Sequence, residues 1–122
     1  MNVVDSSAWM AWFSGDRNTN AFAEPIRDIE NLLVPSITLT EVFKSMLRQK
    51  GEDAALRSVT QMQQGLVVPL ESGLALDAAV FGIDHKLPLA DSIIYATARK
   101  FDATLWTQDS DFEGLPGVRY FP

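Results

Sequence analysis

The chain has 122 residues, 47% hydrophobic and 21% charged, with a formal net charge of −6 and a pI near 4.6. A chain of this length and composition forms one ordinary globular domain whose core needs no covalent staples. The absence of cysteine excludes a disulfide framework and a thiolate zinc site, and a lone histidine, His85, argues against a His-rich metal centre or a His-based triad.

The chain opens with MNVVDSSAWMAWF, in which NVV (2–4) reads as a short buried strand ending at Asp5. The stretch has no basic start, and Asp5 interrupts its apolar run, so it is not read as a signal peptide. No stretch reaches the roughly 18 apolar residues of a membrane span, and the expectation is a soluble, cytoplasmic protein without a membrane partner. SSAWMAWFSG follows as a helix, with Ser6 or Ser7 as its N-cap and Gly15 just beyond its end. TNAFAEPIRDIEN reads as helix broken around Pro25, and LLVP (32–35) as a second short strand.

From Ser36 the period changes. Leu39, Val42, Phe43, Met46 and Leu47 recur at helical spacing and mark an amphipathic helix. GEDAALRSVTQMQQG gives another helix between Gly51 and Gly65, and LVVPL (66–70) a third strand. ESGLALDAAVFGIDHK is helical, and LPLADSIIYATARKFD adds a further helix behind Pro88. ATLWT (103–107) is the fourth strand and VRYF (118–121) a candidate fifth. Short buried strands alternating with helices specify an α/β domain: a mostly parallel sheet of four or five strands, flanked by helices. Ligands of such sheets sit outside the carboxyl ends of the strands.

Four acids fall near that edge. Asp5 ends the first strand, Glu41 lies in the first turns of the helix after the second, Asp91 is in the first turn of the helix behind Pro88, and Asp109 follows the fourth strand. Each has a structural reading of its own. Asp5 suits a helix cap, Asp91 is favoured by the helix dipole, Glu41 shares a face with Lys44 and Arg48 as in a salt-bridge ladder, and Asp109 with Asp111 suits a turn. The joint pattern favours a site, because independent caps need not all fall on one edge. Converging carboxylates repel, by about 4 kcal/mol per pair at 4 Å and an effective dielectric of 20. Either one group takes up a proton or a divalent cation occupies the pocket. Oxygen-only ligands select Mg²⁺ or Mn²⁺, and such an ion polarises a phosphoryl oxygen and activates water. The residues thus point to a metal-dependent hydrolase of phosphodiesters.

The net charge alone speaks against a nucleic-acid partner, yet a bound cation inverts the local sign. Lys44, Arg48 and Lys50 are the candidate phosphate contacts, with Lys86, Arg99 and Lys100 behind them; the alternative is a set of solvated helix faces. Trp9, Trp12 and Phe13 form an aromatic stripe at helical spacing, whose usual explanation is core packing. His85 is read as a helix C-terminal residue favoured by the dipole.

VVDSS at the start, SITLTEV around Glu41, LPLADSIIYATA around Asp91 and LWTQDSDF around Asp109 resemble the four blocks of PIN-domain nucleases. Length and block spacing are most similar to the VapC toxins of bacterial toxin–antitoxin pairs, and the resemblance spans residues 1–122 as one PIN domain. It implies that Asp5, Glu41, Asp91 and Asp109 form the catalytic pocket, with Asp5 and Asp91 the most direct metal ligands and Asp109 beside them. Thr107 would orient the last acid, Ser6 stands where relatives often carry threonine, and Asp111 either supports the pocket or serves the turn. The implied activity is Mg²⁺- or Mn²⁺-dependent cleavage of RNA, of tRNA or rRNA type, leaving 5′-phosphate and 3′-hydroxyl ends. Implied partners are a second copy, as a homodimer, and a cognate antitoxin that blocks the pocket; the resemblance also offers the Trp9, Trp12 and Phe13 stripe as a groove for the antitoxin's apolar helix, in place of core packing.

Three other readings compete. A phosphoacceptor receiver domain needs paired acids after strand one and an aspartate after strand three, where this chain has Asp5 alone and Glu71. A haloacid-dehalogenase-type phosphatase needs an aspartate at the position of Ser7. A non-catalytic PIN-like module that binds RNA or protein would have lost pocket acids, and all four are present.

Overall fold

The computed structural model describes residues 1–122. Five strands, β1 (Asn2–Val4), β2 (Leu32–Pro35), β3 (Leu66–Val68), β4 (Thr104–Thr107) and β5 (Val118–Tyr120), alternate with six helices. These are α1 (Ser6–Ser14), α2 (Thr19–Arg27), α3 (Ser36–Lys50), α4 (Glu52–Met62), α5 (Ser72–His85) and α6 (Leu89–Lys100). All strand pairs are parallel, in the order β3-β2-β1-β4-β5. From β1 the chain builds outward through β2 to β3, then crosses to the other side to lay down β4 and β5. The reversal falls between β1 and β4, and their carboxyl ends open the kind of crevice in which open parallel sheets bind ligands.

Alternation along the strands divides the core in two. Val3, Leu33 and Leu105 pack with Leu74, Ala78 and Ile94 of α5 and α6. Val4, Val34 and Trp106 pack with Trp9, Phe22 and Val42 on the opposite face. With both faces covered, the strands carry near-continuous apolar runs, as a parallel sheet requires.

Three local expectations need correction. The cap of α1 is Asp5, whose carboxylate accepts the Ala8 N–H at 2.9 Å, rather than Ser6 or Ser7. Helix α2 runs through Pro25 to Arg27. Pro25 is third from the helix end and buried, so the helix forgoes only the bond back to Ala21. The break comes instead at Asp28, before a 3-10 turn at Ile29–Asn31. Strand β3 stops at Val68 because Pro69 has no N–H to continue the ladder. No helix is long and apolar enough to cross a membrane.

Candidate active site

The site grows from the end of β1. The backbone N–H of Asp5 bonds the Trp106 carbonyl at 3.1 Å, which carries the β1–β4 ladder one residue further. There the chain turns into α1, and the Asp5 side chain is 2% exposed. Besides the Ala8 N–H it accepts the Ser7 hydroxyl, at 2.8 Å on one oxygen and 3.0 Å on the other. Thr107 Oγ1 donates to it at 2.8 Å. Burial pushes the Asp5 pKa up to about 6; the hydrogen bonds from Ala8, Ser7 and Thr107 oppose the rise, and the Asp109 charge adds to it.

Thr107 joins two acids. At the buried end of β4 it donates to Asp5 and accepts the Asp109 backbone N–H at 2.9 Å. Asp109 in turn caps the 3-10 turn Ser110–Phe112, accepting the Asp111 N–H at 2.9 Å. The fully buried Phe112 ring anchors that turn in the core, so the placement of Asp109 and Asp111 is tied to packing. Glu41, the sixth residue of α3, accepts the Ser6 hydroxyl at 2.7 Å, which links the starts of α1 and α3 across 35 positions.

Asp91 lies in the first turn of α6. Burial pushes its pKa up to about 7, and the charges of Asp109, Asp5, Glu41 and Asp111 all act in the same direction. Asp91 therefore senses the acids of three other chain segments. Carboxylate oxygens of Asp91, Asp109 and Asp111 lie within 4.8 Å of one another. This donor set is all oxygen, dense in negative charge and short of cations, which fits a hard divalent ion. Asp111 thus stands nearer to the centre of charge than a turn residue needs to, while Asp5 lies deeper, its oxygens already engaged by hydroxyls and a backbone N–H.

The PIN domain family matches residues 3–118 of the chain. The chain belongs to the PIN-domain family. Its fold is also that of solved toxins. A toxin–antitoxin complex from Klebsiella pneumoniae superposes with a TM-score of 0.83 at 24% identity, over 98% of this chain and 96% of that one. The Mycobacterium tuberculosis toxin VapC20, described as cleaving the sarcin–ricin loop, superposes with a TM-score of 0.82 at 19% identity over 100% of both chains. A DNA-bound VapBC complex from Salmonella typhimurium gives 0.77 at 15%, over 98% and 96%. No curated protein matches the chain by sequence.

In this PIN domain the basic candidates separate. Lys44 and Arg48 line a groove that also contains Glu41 and Ala90, beside the acids. Lys50 lies with Phe13 and Arg57 in a different cleft. The Arg99 guanidinium lies 5.8 Å from the centre of the Tyr95 ring and donates to the Ala103 carbonyl, a structural use. Lys86 adopts the left-handed cap of α5 at φ 56°, and the Lys100 ammonium lies over the Phe101 ring. Of the aromatic stripe, Trp9 is fully buried, stacked on Phe13 at 5.7 Å between ring centres. Core packing claims it. Trp12 is half-buried, donating to Gln61 at 3.3 Å. The open apolar groove lies elsewhere, between α3 and α4, where Leu39, Phe43, Leu47 and Val59 line about 450 Å³. His85 ends α5 and packs against Phe81 and Tyr95.

The sequence reading gave Ser7 no part in the site. Its hydroxyl spans both Asp5 oxygens and receives the Gln108 N–H at 3.4 Å, so it ties the ends of β1 and β4 together. The Asp-x-Ser spacing, a common local hydrogen-bonding pattern, was the signal available.

Proposed function

We propose that this chain is a Mg²⁺- or Mn²⁺-dependent endoribonuclease, the toxin of a toxin–antitoxin pair. The observation that carries the reading is the cluster of Asp91, Asp109 and Asp111 carboxylates within 4.8 Å of one another, where burial and four acids from three other segments push the Asp91 pKa up to about 7, in a protein of the PIN-domain family. Asp91, Asp109 and Asp111 would hold the ion, with Asp5 and Glu41 completing the pocket. A bound divalent cation would polarise the scissile phosphoryl oxygen and lower the pKa of the attacking water.

The protein's own groups do the positioning. Ser7, Thr107 and the Ala8 N–H hold the Asp5 carboxylate in one orientation. Thr107 spaces Asp109 from Asp5 through the Asp109 N–H. Ser6 holds Glu41 against the start of α1. Lys44 and Arg48 supply the positive charge that an RNA backbone requires beside an acidic pocket, and Lys50 serves as a more distant contact. With no sulfur or imidazole among the donors, zinc chemistry is the poorer match.

The partners in this reading are RNA, an antitoxin and a second copy. The α3–α4 groove, apolar and edged by Lys44, suits the apolar face of an antitoxin helix, and structural neighbours are solved as toxin–antitoxin complexes. Leu76, Val80 and Ile83 recur at helical spacing on α5 with exposures of 71%, 58% and 80%, and Leu89 at the start of α6 is 79% exposed. An apolar stripe of this kind marks an interface, and it suits the homodimer.

The decisive experiment uses the purified chain free of antitoxin, with tRNA and rRNA fragments as substrates. Cleavage is expected with Mn²⁺ or Mg²⁺ and none in EDTA. Intact RNA with either ion would remove the catalytic reading and leave a PIN-like binding module.

A further inference from the structure

At the end of β4 the main chain of Thr107, Gln108 and Asp109 is held residue by residue. Phe121, just beyond β5, donates its N–H to the Thr107 carbonyl at 2.9 Å. Gln108 donates its N–H to Ser7 Oγ at 3.4 Å, and Asp109 donates its own to Thr107 Oγ1 at 2.9 Å. The side chains of Thr107 and Asp109 bond within the site, to Asp5 and to the Asp111 N–H. The Gln108 side chain is held from outside it, by Asn18, 90 positions away.

Asn18 stands at the N-cap of α2 and makes no side-chain cap bond. Asparagine is among the strongest N-cap residues because its side-chain oxygen accepts a free helix N–H. Here the side chain is used otherwise. Asn18 Nδ2 donates to Gln108 Oε1 at 3.2 Å, to the Phe121 carbonyl at 3.1 Å and to a Pro122 main-chain oxygen at 3.3 Å. The main-chain oxygens only accept, so it is the nitrogen that faces them, and Gln108 is met by a donor. Both sides of this clasp are anchored. Thr19 Oγ1 donates to the Ala11 carbonyl at 2.9 Å, and the Asn18 carbonyl accepts the Ala21 N–H at 3.1 Å. The Phe121 ring stacks on Trp106 at 5.9 Å and meets Phe22 edge-on at 5.5 Å between ring centres.

We propose that Asn18 is a positioning residue of the acidic site, acting through Gln108 on the stretch that carries Thr107 and Asp109. The Phe121 and Pro122 oxygens fix the Asn18 amide, and the amide fixes Gln108. Without that bond the main chain between Thr107 and Asp109 gains freedom at the end of β4. Asp109 then samples a wider range of distances from Asp91 and Asp111, and those acids hold an ion less tightly. The assignment rests on the nuclease reading for the ion alone; the clasp stands on hydrogen bonds within the chain.

The test compares the full chain with Asn18→Leu, which keeps the bulk of the side chain and removes its donors, and with Asn18→Ala. Amide hydrogen exchange in EDTA reads the clasp without an ion. Exchange of the Gln108 and Asp109 amides is expected to rise about fivefold in both variants, the worth of one ordinary hydrogen bond, with the amides of α5 unchanged. Mn²⁺ affinity is read from the electron paramagnetic resonance signal of the free ion. It is expected to weaken by about fivefold, less than the roughly tenfold or more that direct partners of metal ligands are worth. Gln108→Ala should weaken it as much, and adding Asn18→Leu to Gln108→Ala little further, because the two act as one unit. Unchanged exchange at Gln108 and Asp109, or an equal rise in α5, overturns the proposal. So does unchanged Mn²⁺ affinity in the variants, or losses from Asn18→Leu and Gln108→Ala that add in full. A parent chain that takes up no Mn²⁺ or leaves RNA intact, while exchange responds as expected, overturns the nuclease reading and leaves the clasp standing.

Discussion

The Asp5 carboxylate accepts the Ala8 N–H and the hydroxyls of Ser7 and Thr107 while almost wholly buried. Helix cap and site acid are therefore not alternatives for this residue, because one oxygen serves the helix N-terminus while the carboxylate as a whole carries charge beside Asp109. The cap supplies the hydrogen bonds that make burial of the acid tolerable. Asp5→Asn and Asp91→Asn preserve shape and remove charge, and each is expected to lower kcat/KM for RNA cleavage by on the order of a hundredfold or more, given that even outer-shell partners of a metal site are worth 10–100-fold. Wild-type rates in both variants would place the chemistry elsewhere. Asp109→Ala is expected to cost more activity than Asp111→Ala. Asp109 is half-buried, bound to Thr107 and caps its own turn, whereas Asp111 is exposed. The reverse order would make Asp111 the principal ligand of the pair.

Among the elements, strands and helices were legible because each carries its own period and punctuation: Gly15 closes α1 in the left-handed region at φ 69°, and the 3.6 period of α3 begins at once after Pro35. The strand–helix boundaries were less so, since a cap depends on which side chain reaches a free N–H, and Asp5 outcompetes both serines. The contrast between α1 and α5 shows a second limit. Trp9 and Ile83 are both large apolar residues on helices, yet one is sealed between helices and sheet and the other is 80% exposed. Composition cannot distinguish a stripe that packs on its own sheet from one left exposed. Ile83→Glu puts a charge into that exposed stripe and is expected to give a monomer in light scattering where the parent chain gives the proposed dimer, with little change in the melting temperature of the monomer. A variant that remains dimeric would move the interface away from α5.

At the scale of the whole molecule, the site acts as a store of repulsion. The pKa values of Asp5 and Asp91 are raised in the folded state from 3.8 to about 6 and about 7. Between about pH 4 and pH 7 the folded protein therefore binds more protons than the unfolded chain, and stability falls as pH rises through that window. At about 1.4 kcal/mol per pKa unit, Asp5 alone accounts for a loss of roughly 3 kcal/mol. In EDTA the melting temperature is expected to be higher near pH 5 than near pH 8. Millimolar Mg²⁺ or Mn²⁺ should raise it most at the higher pH, where the carboxylates are ionised and binding stabilises the fold by mass action. A melting temperature in EDTA that does not fall between those pH values would mean that the acids do not repel as their placement requires.

The amino-acid sequence by itself determined the α/β alternation, the apolar strands and the four acids beside their ends, because hydrophobic period and turn chemistry are local. Only the tertiary structure decided what those acids do to one another. The strand order β3-β2-β1-β4-β5 brings the ends of β1 and β4 together, so that Ser7 and Thr107 clamp Asp5 and Asp109, residues about a hundred positions apart. The same packing drew Asp111 into the cluster with Asp91 and Asp109, split Lys44 and Arg48 from Lys50 and buried Trp9. Distances between segments are set by how the helices cover the sheet, and no local pattern carries them.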